Sequence, residues 1–416
     1  MRIACFSSFG PGPRSAGLNL ELLPLQRALT KNGHVLEIYA DLGEHRYVQV
    51  RTSEETAAGV APDFGSLKRL PAEINEAASL YIYNYVGRVI PPLFGLRDLR
   101  LGISANPAEL GDFDAVIAYK PWYRTVVPTI RLSRNRRIPS ILWIDDYDVN
   151  PRAPFLRNFS ITCVNSRHLA IAFSQLSPLY FPHTIETRFV AKSRTATLKS
   201  SEEQNICVVL PGTGIQEEYA LRLIRVLVSL KLSEVRLGVY VLNPPSILRH
   251  YFTRSRLCGE VHLLPFLSRK DVIALLDRSV VAIVIQPYNR YGFAKASGRL
   301  LECMARGVPV VVEDAGESSW IVNRWRAGLT FPHGDFDSML SQVSNILNSP
   351  SLQLQLSHGG LQFFTAGRDW DSYAKRLVQA IREVNSSPSM RHPLINRSNL
   401  RFGSRSQGVN LPGDEH

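Results

Sequence analysis

Residues 286–312 read QPYNRYGFAKASGRLLECMARGVPVVV, and this stretch decides the fold prediction. An apolar, strand-sized run from Val280 to Ile285 precedes it. A loop that contains glycine and serine, from Tyr291 to Gly298, then leads into a helical pattern from Gly298 to Arg306. Pro309 to Glu313 has the composition of the next strand. Strand, loop, helix and strand in this order predict a parallel βαβ unit with a right-handed crossover.

The same alternation recurs along most of the chain. Further strands are predicted at Arg2–Phe6, Val35–Tyr39, Leu80–Val86, Ala115–Ala118, Ser140–Ile144, Ile161–Val164, Ile206–Leu210, Val235–Leu242 and Val261–Leu264. Helical patterns lie between several of them, at Val126–Leu132, Glu217–Leu230 and Arg269–Asp277. The alternation predicts an α/β protein with two doubly wound, Rossmann-like domains. Such domains would face each other across a cleft, with ligands at the carboxyl ends of the strands.

Changes in composition predict the domain boundaries. Residues 191–204 are rich in Lys, Ser, Thr and Glu and have one Leu, which is typical of a linker. We therefore expect one domain over residues 1–190 and a second over residues 205–366. A final helix is expected over residues 367–384. Residues 385–416 are rich in Ser, Asn, Pro and Arg, which predicts a disordered tail.

The overall composition is that of a basic globular protein. The chain has 416 residues, of which 48 are Lys or Arg and 36 are Asp or Glu, so the formal net charge is +12. Hydrophobic residues make up 45% of the chain, which excludes disorder for most of it. The positive charge suits phosphate-bearing substrates, an anionic membrane surface or nucleic acid. A role in solubility alone explains the same charge.

Cysteine usage and hydropathy indicate the compartment. The five cysteines are scattered without CxxC spacing, which argues against a zinc site and a disulfide framework and fits a reducing cytoplasm. No apolar run approaches the ~18 residues that span a bilayer. The apolar stretch at the N-terminus is too short for a signal peptide. We therefore expect a cytoplasmic protein.

The loop that leads into the helix at Gly298 has the features of a phosphate site. Free backbone N–H groups and the positive end of a helix dipole favour anions, and Ser297 lies in this loop. Lys295 and Arg299 add full charges at the same place. Glu302, about one turn into the helix, could accept hydrogen bonds from vicinal hydroxyls such as those of a ribose. Taken alone, an ordinary strand, loop and capped helix would show the same pattern.

Two segments of the first half supply further candidates. Asp145 and Asp146 end a predicted strand, where they could bind an acceptor hydroxyl, act as a base or hold a divalent ion. An N-cap and turn would equally use aspartates there. The loop with Gly12, Arg14 and Gly17 could let an acceptor or a diphosphate approach the backbone, or it could be a plain turn. It does not fit the glycine fingerprint of dinucleotide-binding proteins.

Residues 301–311, LECMARGVPVV, resemble the lEAmAxGxPVV motif of the retaining GT-B glycosyltransferases of the large group-1 type. Weaker matches flank it. Residues 259–279 resemble the family's strand and helix under the nucleotide base, and Asn32 to Val35 resembles its first-domain Gly-His strand. The residues from Trp370 onwards resemble its last helix. The resemblance covers most of residues 1–384.

The resemblance implies a glycosyltransferase of the hexosyltransferase type. It would move a sugar from a nucleotide-sugar donor to a glycan, lipid-linked or other acceptor, with retention of configuration. The first domain would bind the acceptor, the second the nucleotide sugar, and the last helix would pack back on the first domain. The donor-binding residues implied are Gly212, Thr213, Gly214, Lys295, Ser297, Arg299 and Glu302. Asp145 and Asp146 would be catalytic, and no metal or other cofactor is expected.

Departures from the family pattern keep alternatives open. The first of two glutamates found in many members is replaced by Ala294, and the 212–214 loop lacks their basic pair. We expect Lys295 and Arg299 to supply the missing charge. A non-catalytic protein that binds nucleotide sugars or glycans on the same scaffold is the alternative, and an epimerase is a third interpretation. Nucleotide release would separate these functions.

Basic residues mixed with aromatics in the first domain suggest where the acceptor side lies. They occur within residues 66–101 and again within residues 131–137. Such segments suit an anionic membrane face or a lipid-phosphate acceptor, so a peripheral position at the inner face of the membrane is a further expectation. The same pattern could touch nucleic acid, which we do not expect as a partner, or could be a solvated basic face.

Overall fold

A computed structural model describes residues 1–7, 21–41, 47–50, 112–147, 149–193, 204–209, 217–228, 237–242, 261–264, 267 and 269–386. Its first sheet contains β1 (Arg2–Ser7), β2 (Val35–Asp41), β3 (Tyr47–Val50), β4 (Ala115–Tyr119), β5 (Ser140–Ile144), β6 (Ile161–Val164) and β7 (Leu179–Tyr180). The strand order is β3-β2-β1-β4-β5-β6-β7. Neighbouring strands are parallel apart from the β2–β3 pair, which is antiparallel.

The second sheet repeats this design without the antiparallel strand. It contains β8 (Gln204–Val209), β9 (Leu237–Leu242), β10 (Val261–Leu264), β11 (Ser279–Val284), β12 (Val310–Glu313) and β13 (Gly328–Phe331), in the order β10-β9-β8-β11-β12-β13. All of its strand pairs are parallel. In each sheet the order reverses beside the first strand, which is where α/β folds bind ligands. The predicted fold class is confirmed.

Helices cover the faces of both sheets. They are α1 (Leu23–Lys31), α2 (Tyr123–Arg136), α3 (Arg167–Ala172), α4 (Glu217–Val228), α5 (Arg269–Arg278), α6 (Arg290–Phe293), α7 (Gly298–Ala305), α8 (Gly316–Trp325), α9 (Phe336–Leu347), α10 (Pro350–Thr365) and α11 (Trp370–Ser386). Among the described residues, no helix combines the length and hydrophobicity needed to cross a bilayer.

The last helix crosses back to the first sheet. Apolar side chains recur every three or four residues along α11, which gives the helix one apolar face. Tyr373, Leu377 and Ile381 share one buried core with Ile3 of β1 and with α1. At the surface, Lys31 of α1 pairs with Asp371 of α11. Helix α11, near the end of the described chain, therefore packs against β1 and α1 at its beginning.

Strand ends, and the turns that follow them, position the site. Strands β4 and β5 are buried along their whole length, so they run through the centre of the first sheet. In the second sheet, Gly307 turns the chain from α7 into β12 with a φ of +65°, a conformation that glycine adopts at little cost. Several predictions lie outside the described residues: the strand at 80–86, most of the linker, the loops at 12–17 and 212–214, and the tail. The domain boundaries stay predictions.

Candidate active site

The carboxyl ends of β4 and β5 meet a loop of the second half of the chain. Asp145 and Asp146 directly follow β5, and Lys295 lies in the loop before α7. The Nζ atom of Lys295 is 3.1 Å from an oxygen of Asp146. The structure thus brings Lys295 next to the two adjacent aspartates, which precede it by about 150 residues in the sequence.

Lys120, directly after β4, joins this contact. Its amine bonds to Asp146 and lies 3.3 Å from Oδ2 of Asp145, and its side chain is buried. Its φ is +69°, a left-handed conformation that costs free energy in any residue other than glycine. Strained residues of this kind cluster at functional sites, where the surrounding structure holds them. Sequence reasoning missed Lys120, because a lysine after an apolar strand is a common boundary residue.

A second layer lies beneath, made of Glu21 and His183. The two ring nitrogens of His183 face two different carboxylates: Nδ1 is 3.1 Å from Glu21 and Nε2 is 3.2 Å from Asp145. Tyr119 donates a 2.6 Å hydrogen bond to the other oxygen of Glu21, and the amide of Asn165 donates to Asp145. We call the six charged residues the cleft cluster: Glu21, His183, Asp145, Lys120, Asp146 and Lys295.

The cleft cluster shifts the pKa values of its members. Burial opposes ionisation of Asp145, but Lys295, Lys120 and His183 outweigh it and hold its pKa well below the ordinary range. Burial also disfavours the charged ring of His183, yet Glu21 and Asp145 raise its pKa to about 10. Burial and the nearby charge of Asp145 raise the pKa of Glu21, against the hydrogen bonds from His183 and Tyr119. The charged forms of Asp145 and His183 therefore stabilise each other.

The two neighbouring aspartates have different surroundings. Asp145, expected to face the cleft, is only 2% exposed and is enclosed by its partners. The side chain of Asp146 is 17% exposed and that of Lys295 is 42% exposed, so these two reach solvent. A buried anion with a low pKa is a poor proton acceptor, whereas Asp146 can meet a ligand.

Three residues of the cleft cluster could in principle bind a metal ion. Glu21, Asp145 and His183 could offer ligand atoms that lie within 4.8 Å of one another. However, three carboxylates of the cleft cluster already face three cationic groups, Lys120, His183 and Lys295. A divalent ion between these atoms would have to displace the ring proton of His183. The arrangement therefore fits a cluster balanced by its own side chains better than a metal site.

The donor candidates of α7 lie at the same loop. Arg299 forms an ion pair with Glu302 one turn further along the helix, and Glu302 is buried. The backbone N–H of Ser297, at the N-terminus of α7, lies 3.4 Å from the hydroxyl of Ser318. Lys295 thus faces the first half of the chain, while Arg299 faces Glu302. Gly212, Thr213, Gly214, Gly12, Arg14 and Gly17 lie outside the described residues, as does Asp148.

Ala294 is a contact between the two halves of the chain. It is 1% exposed and belongs to an apolar cluster with first-half residues such as Ile144, Val149 and Leu169. A carboxylate at this position would be buried among apolar side chains. The next residue, Lys295, lies against Asp146.

A buried glutamate holds the two halves together beside this contact. Glu317, in the first turn of α8, has no measurable exposure. It accepts a 2.9 Å hydrogen bond from the hydroxyl of Tyr180 and a 3.0 Å bond from the backbone N–H of Arg167. The guanidinium of Arg167 lies over the ring of Trp320, 4.3 Å from its centre. Buried hydrogen bonds of this kind fix the relative position of the two cleft walls.

A second polar cluster lies at the carboxyl edge of the second sheet. Glu313, at the end of β12, accepts from the hydroxyl of Tyr219 and faces Nδ1 of His333 at 2.7 Å. The ring of His333 stacks between Tyr219 and Tyr288, with centroid distances of 5.2 and 4.0 Å. We call Glu313, Tyr219, His333 and Tyr288 the stacked cluster.

Comparison with known proteins gives a family match for the second half of the chain. Residues 215–349 match the profile of the family described as Glycosyl transferases group 1. The sequence has no significant match among curated proteins.

Solved structures resemble the whole chain. Sucrose-phosphate synthase from Thermosynechococcus elongatus aligns with a TM-score of 0.64 and 14% identity, over 93% of this chain and 99% of its own. HepE from Anabaena, in complex with UDP and glucose, gives 0.57 and 14%, over 92% and 99%. The catalytic domain of starch synthase IV from Arabidopsis thaliana, bound to ADP and acarbose, gives 0.59 and 12%, over 93% and 99%. At this identity the likeness establishes the GT-B fold.

Proposed function

Given a glycosyltransferase with a GT-B fold and a group 1 domain, we propose that the chain transfers a sugar from a nucleotide-sugar donor, with retention of configuration, at the cleft cluster. The contact between Lys295 and Asp146 carries the proposal, because it joins the group 1 domain to a carboxylate of the first half at 3.1 Å. The acceptor we propose is a glycan or a lipid-phosphate, met from the first half of the chain.

The charges of the site suit the charges that develop during transfer. Negative charge grows on the leaving diphosphate as the glycosidic bond breaks, and cations or N–H dipoles aimed at it lower the barrier. Lys295 and the N-terminus of α7 provide both at one place. Arg299 would contribute after exchanging Glu302 for a phosphate oxygen. With these cations in place, we propose that transfer needs no metal ion.

Asp146 is the carboxylate that we assign to the reacting sugar or the acceptor hydroxyl. It reaches solvent, and it is held by Lys120 and Lys295. A carboxylate here can orient a hydroxyl and can stabilise positive charge on the ring carbon. Asp145 keeps Lys120 in position from beneath, at 3.3 Å. The two aspartates thus have separate roles, one towards substrate and one towards the fold.

Glu302 is the residue that we assign to the donor ribose. We expect its carboxylate to accept hydrogen bonds from the vicinal hydroxyls of the ribose. The variant Glu302→Gln keeps the shape of the side chain and removes its charge. Donor affinity should fall by ~1.5–3 kcal/mol, the scale for a hydrogen bond to a charged group. Calorimetry with the donor measures it, and unchanged affinity would remove Glu302 from the donor site.

A donor panel tests the proposed function. Thermal shift against nucleotide sugars finds the donor, because a bound ligand stabilises the fold in proportion to the logarithm of its concentration over Kd. Nucleotide release with glycan and lipid-phosphate acceptors then measures turnover. Lys295→Ala should lower turnover by about 100-fold and Lys295→Glu by more, whereas Lys375→Ala on the exposed face of α11 should not. Donor binding without any nucleotide release in the wild type would instead support a binding protein.

A further inference from the structure

We propose that Glu21 is a positioning residue that fixes the ring and the proton of His183, and through them the carboxylate of Asp145 beneath the cleft. This inference rests on the proposed function, in that it assigns Glu21 a part in transfer at Asp146 and Lys295. Glu21 lies in the π-helical residues directly before α1 and is itself buried, so it touches no substrate. Its effect on the reaction would be indirect.

The hydrogen bonds of Glu21 leave its carboxylate little freedom. One oxygen accepts from Tyr119 at 2.6 Å, and the other faces Nδ1 of His183 at 3.1 Å. The side chains of Glu21 and His183 are 7% and 10% exposed. Because both carboxylate oxygens are engaged in a buried setting, the plane of the carboxylate is fixed, and with it the direction of the bond to the ring.

The charged and polar groups around His183 come from several elements. Glu21 faces Nδ1 from the π-helical residues directly before α1, and Asp145 faces Nε2 from the end of β5. Asn165 follows β6; its side-chain nitrogen donates to Oδ1 of Asp145, the oxygen that faces the ring, and also lies 2.8 Å from Nε2 of His183. Lys120 follows β4 and lies 3.3 Å from the opposite oxygen, Oδ2. Donation to Glu21 and to Asp145 at once needs a proton on both ring nitrogens, so the two carboxylates favour the imidazolium.

The position of Asp145 depends on that imidazolium. Its Oδ1 faces His183 and Asn165, and its Oδ2 faces Lys120, which in turn bonds to Asp146 at the cleft surface. A neutral ring could not donate from both nitrogens, so either Glu21 or Asp145 would lose the ring as a donor, and Asp145 would then be held by Asn165 and Lys120 alone. Glu21 therefore acts on Asp146 at the cleft only indirectly. Three side chains lie between the two residues in the chain of contacts: His183, Asp145 and Lys120.

The decisive variant is Glu21→Gln, which keeps the shape and removes the charge. Without the anion, burial and Asp145 alone set the pKa of His183, which stands at about 10 in the wild type. We expect the ring in the full-length variant to titrate at least about one pH unit lower, measured by NMR of labelled histidine. Turnover should fall by about 10- to 100-fold, the range for loss of an orienting partner, with KM for the donor within about twofold. The alkaline limb of the turnover profile should move to lower pH.

Two further variants separate positioning from general loosening of α1. Glu186→Gln removes a carboxylate that pairs with Arg27 of α1 at 2.7 Å, and it should leave the His183 titration and the pH profile as in the wild type. Glu21→Asp keeps the charge and should restore part of the His183 pKa and of the turnover lost in Glu21→Gln. If Glu21→Gln fails to fold, the titration of Glu21→Asp against Glu186→Gln decides, with a changed His183 pKa expected in the first variant alone.

The outcomes distinguish this inference from the proposed function. An unchanged His183 titration in Glu21→Gln would overturn it, and so would a shifted titration with wild-type turnover and pH profile. The titration needs no substrate and is independent of the reaction. If Lys295→Ala retains full turnover, the proposed function fails, whatever His183 does. If Lys295→Ala loses turnover while Glu21→Gln keeps it, the positioning role alone fails.

Discussion

Each half of the molecule holds a buried glutamate between a tyrosine hydroxyl and a histidine Nδ1. In the first half these are Glu21, Tyr119 and His183, and in the second they are Glu313, Tyr219 and His333. The two trios differ in what lies on the other side of the imidazole. Nε2 of His183 faces the carboxylate of Asp145, whereas the ring faces of His333 are covered by Tyr219 and Tyr288.

This difference indicates that the groups around a Glu–His pair determine whether the pair acts on the cleft or only stabilises the fold. A second carboxylate favours the charged ring of His183 and extends the first trio, through Asp145 and Lys120, to the cleft. Aromatic neighbours end the second trio in a stack, and the side chain of His333 is 34% exposed. We therefore expect substitutions in the first trio to affect the reaction and those in the second to affect stability alone.

The largest effect is expected where a buried carboxylate is introduced without such partners. Ala294→Glu introduces the glutamate that the family resemblance leads one to expect, and it places a charge in the apolar contact between the two halves. We predict a loss of about 3–5 kcal/mol of stability, measured by urea unfolding. Ala294→Gln, of the same size and uncharged, should lose less. A stable Ala294→Glu variant with tighter donor binding would show that position 294 faces the donor.

The next effect compares the two histidines directly. His183→Gln removes the cation between Glu21 and Asp145, and turnover should fall by about 100-fold. His333→Gln removes a partner of Glu313, and turnover should stay within about threefold while the melting temperature drops. Rates are measured at saturating donor. Equal losses of turnover in both variants would mean that the two trios do not differ in the way proposed.

A smaller effect is expected in the pH dependence of stability. The pKa of His183 in the folded protein, about 10, lies above that of an exposed histidine, so the folded state binds the extra proton. This stabilisation is complete below about pH 6.5 and is lost as the pH rises towards the folded value. Between pH 7 and pH 9 we expect the wild type to lose about 2.5 kcal/mol more than His183→Gln. Parallel stability curves for the two proteins would contradict it.

Most of the fold could be predicted from the sequence, because buried parallel strands are short apolar runs bounded by turns. The predicted strands at Ser140–Ile144, Ile161–Val164 and Val261–Leu264 match the structure residue for residue. Strands β3 and β7 and helices α3, α6, α8, α9 and α10 were not predicted, because the two strands and α3 and α6 are short and the region of the other helices was analysed only through short motifs. The loop expected at Tyr291–Gly298 contains the last three residues of α6 (Arg290–Phe293). The crossing of α11 to the first sheet followed from the family resemblance.

The cleft cluster could be predicted only in part. Asp145, Asp146 and Lys295 stand out because they follow strands or precede a helix, which are the positions where ligands bind. Lys120 also follows a strand and Glu21 also precedes a helix, but a single charged residue is common at such boundaries and did not distinguish them. His183 is near Asp145 because β5, β6 and β7 are adjacent in the sheet. Pairing of strands, which no local pattern encodes, therefore assembles this site.

The contact between Asp146 and Lys295 is the central claim, and a double-mutant cycle on turnover tests it most directly. Asp146→Asn, Lys295→Ala and the combined variant are compared with the wild type at saturating donor. If the two side chains act as one unit across the cleft, the combined variant should lose about as much turnover as the worse single variant. If the two losses in free energy simply add, the residues act independently and the cleft contact is not the reaction centre.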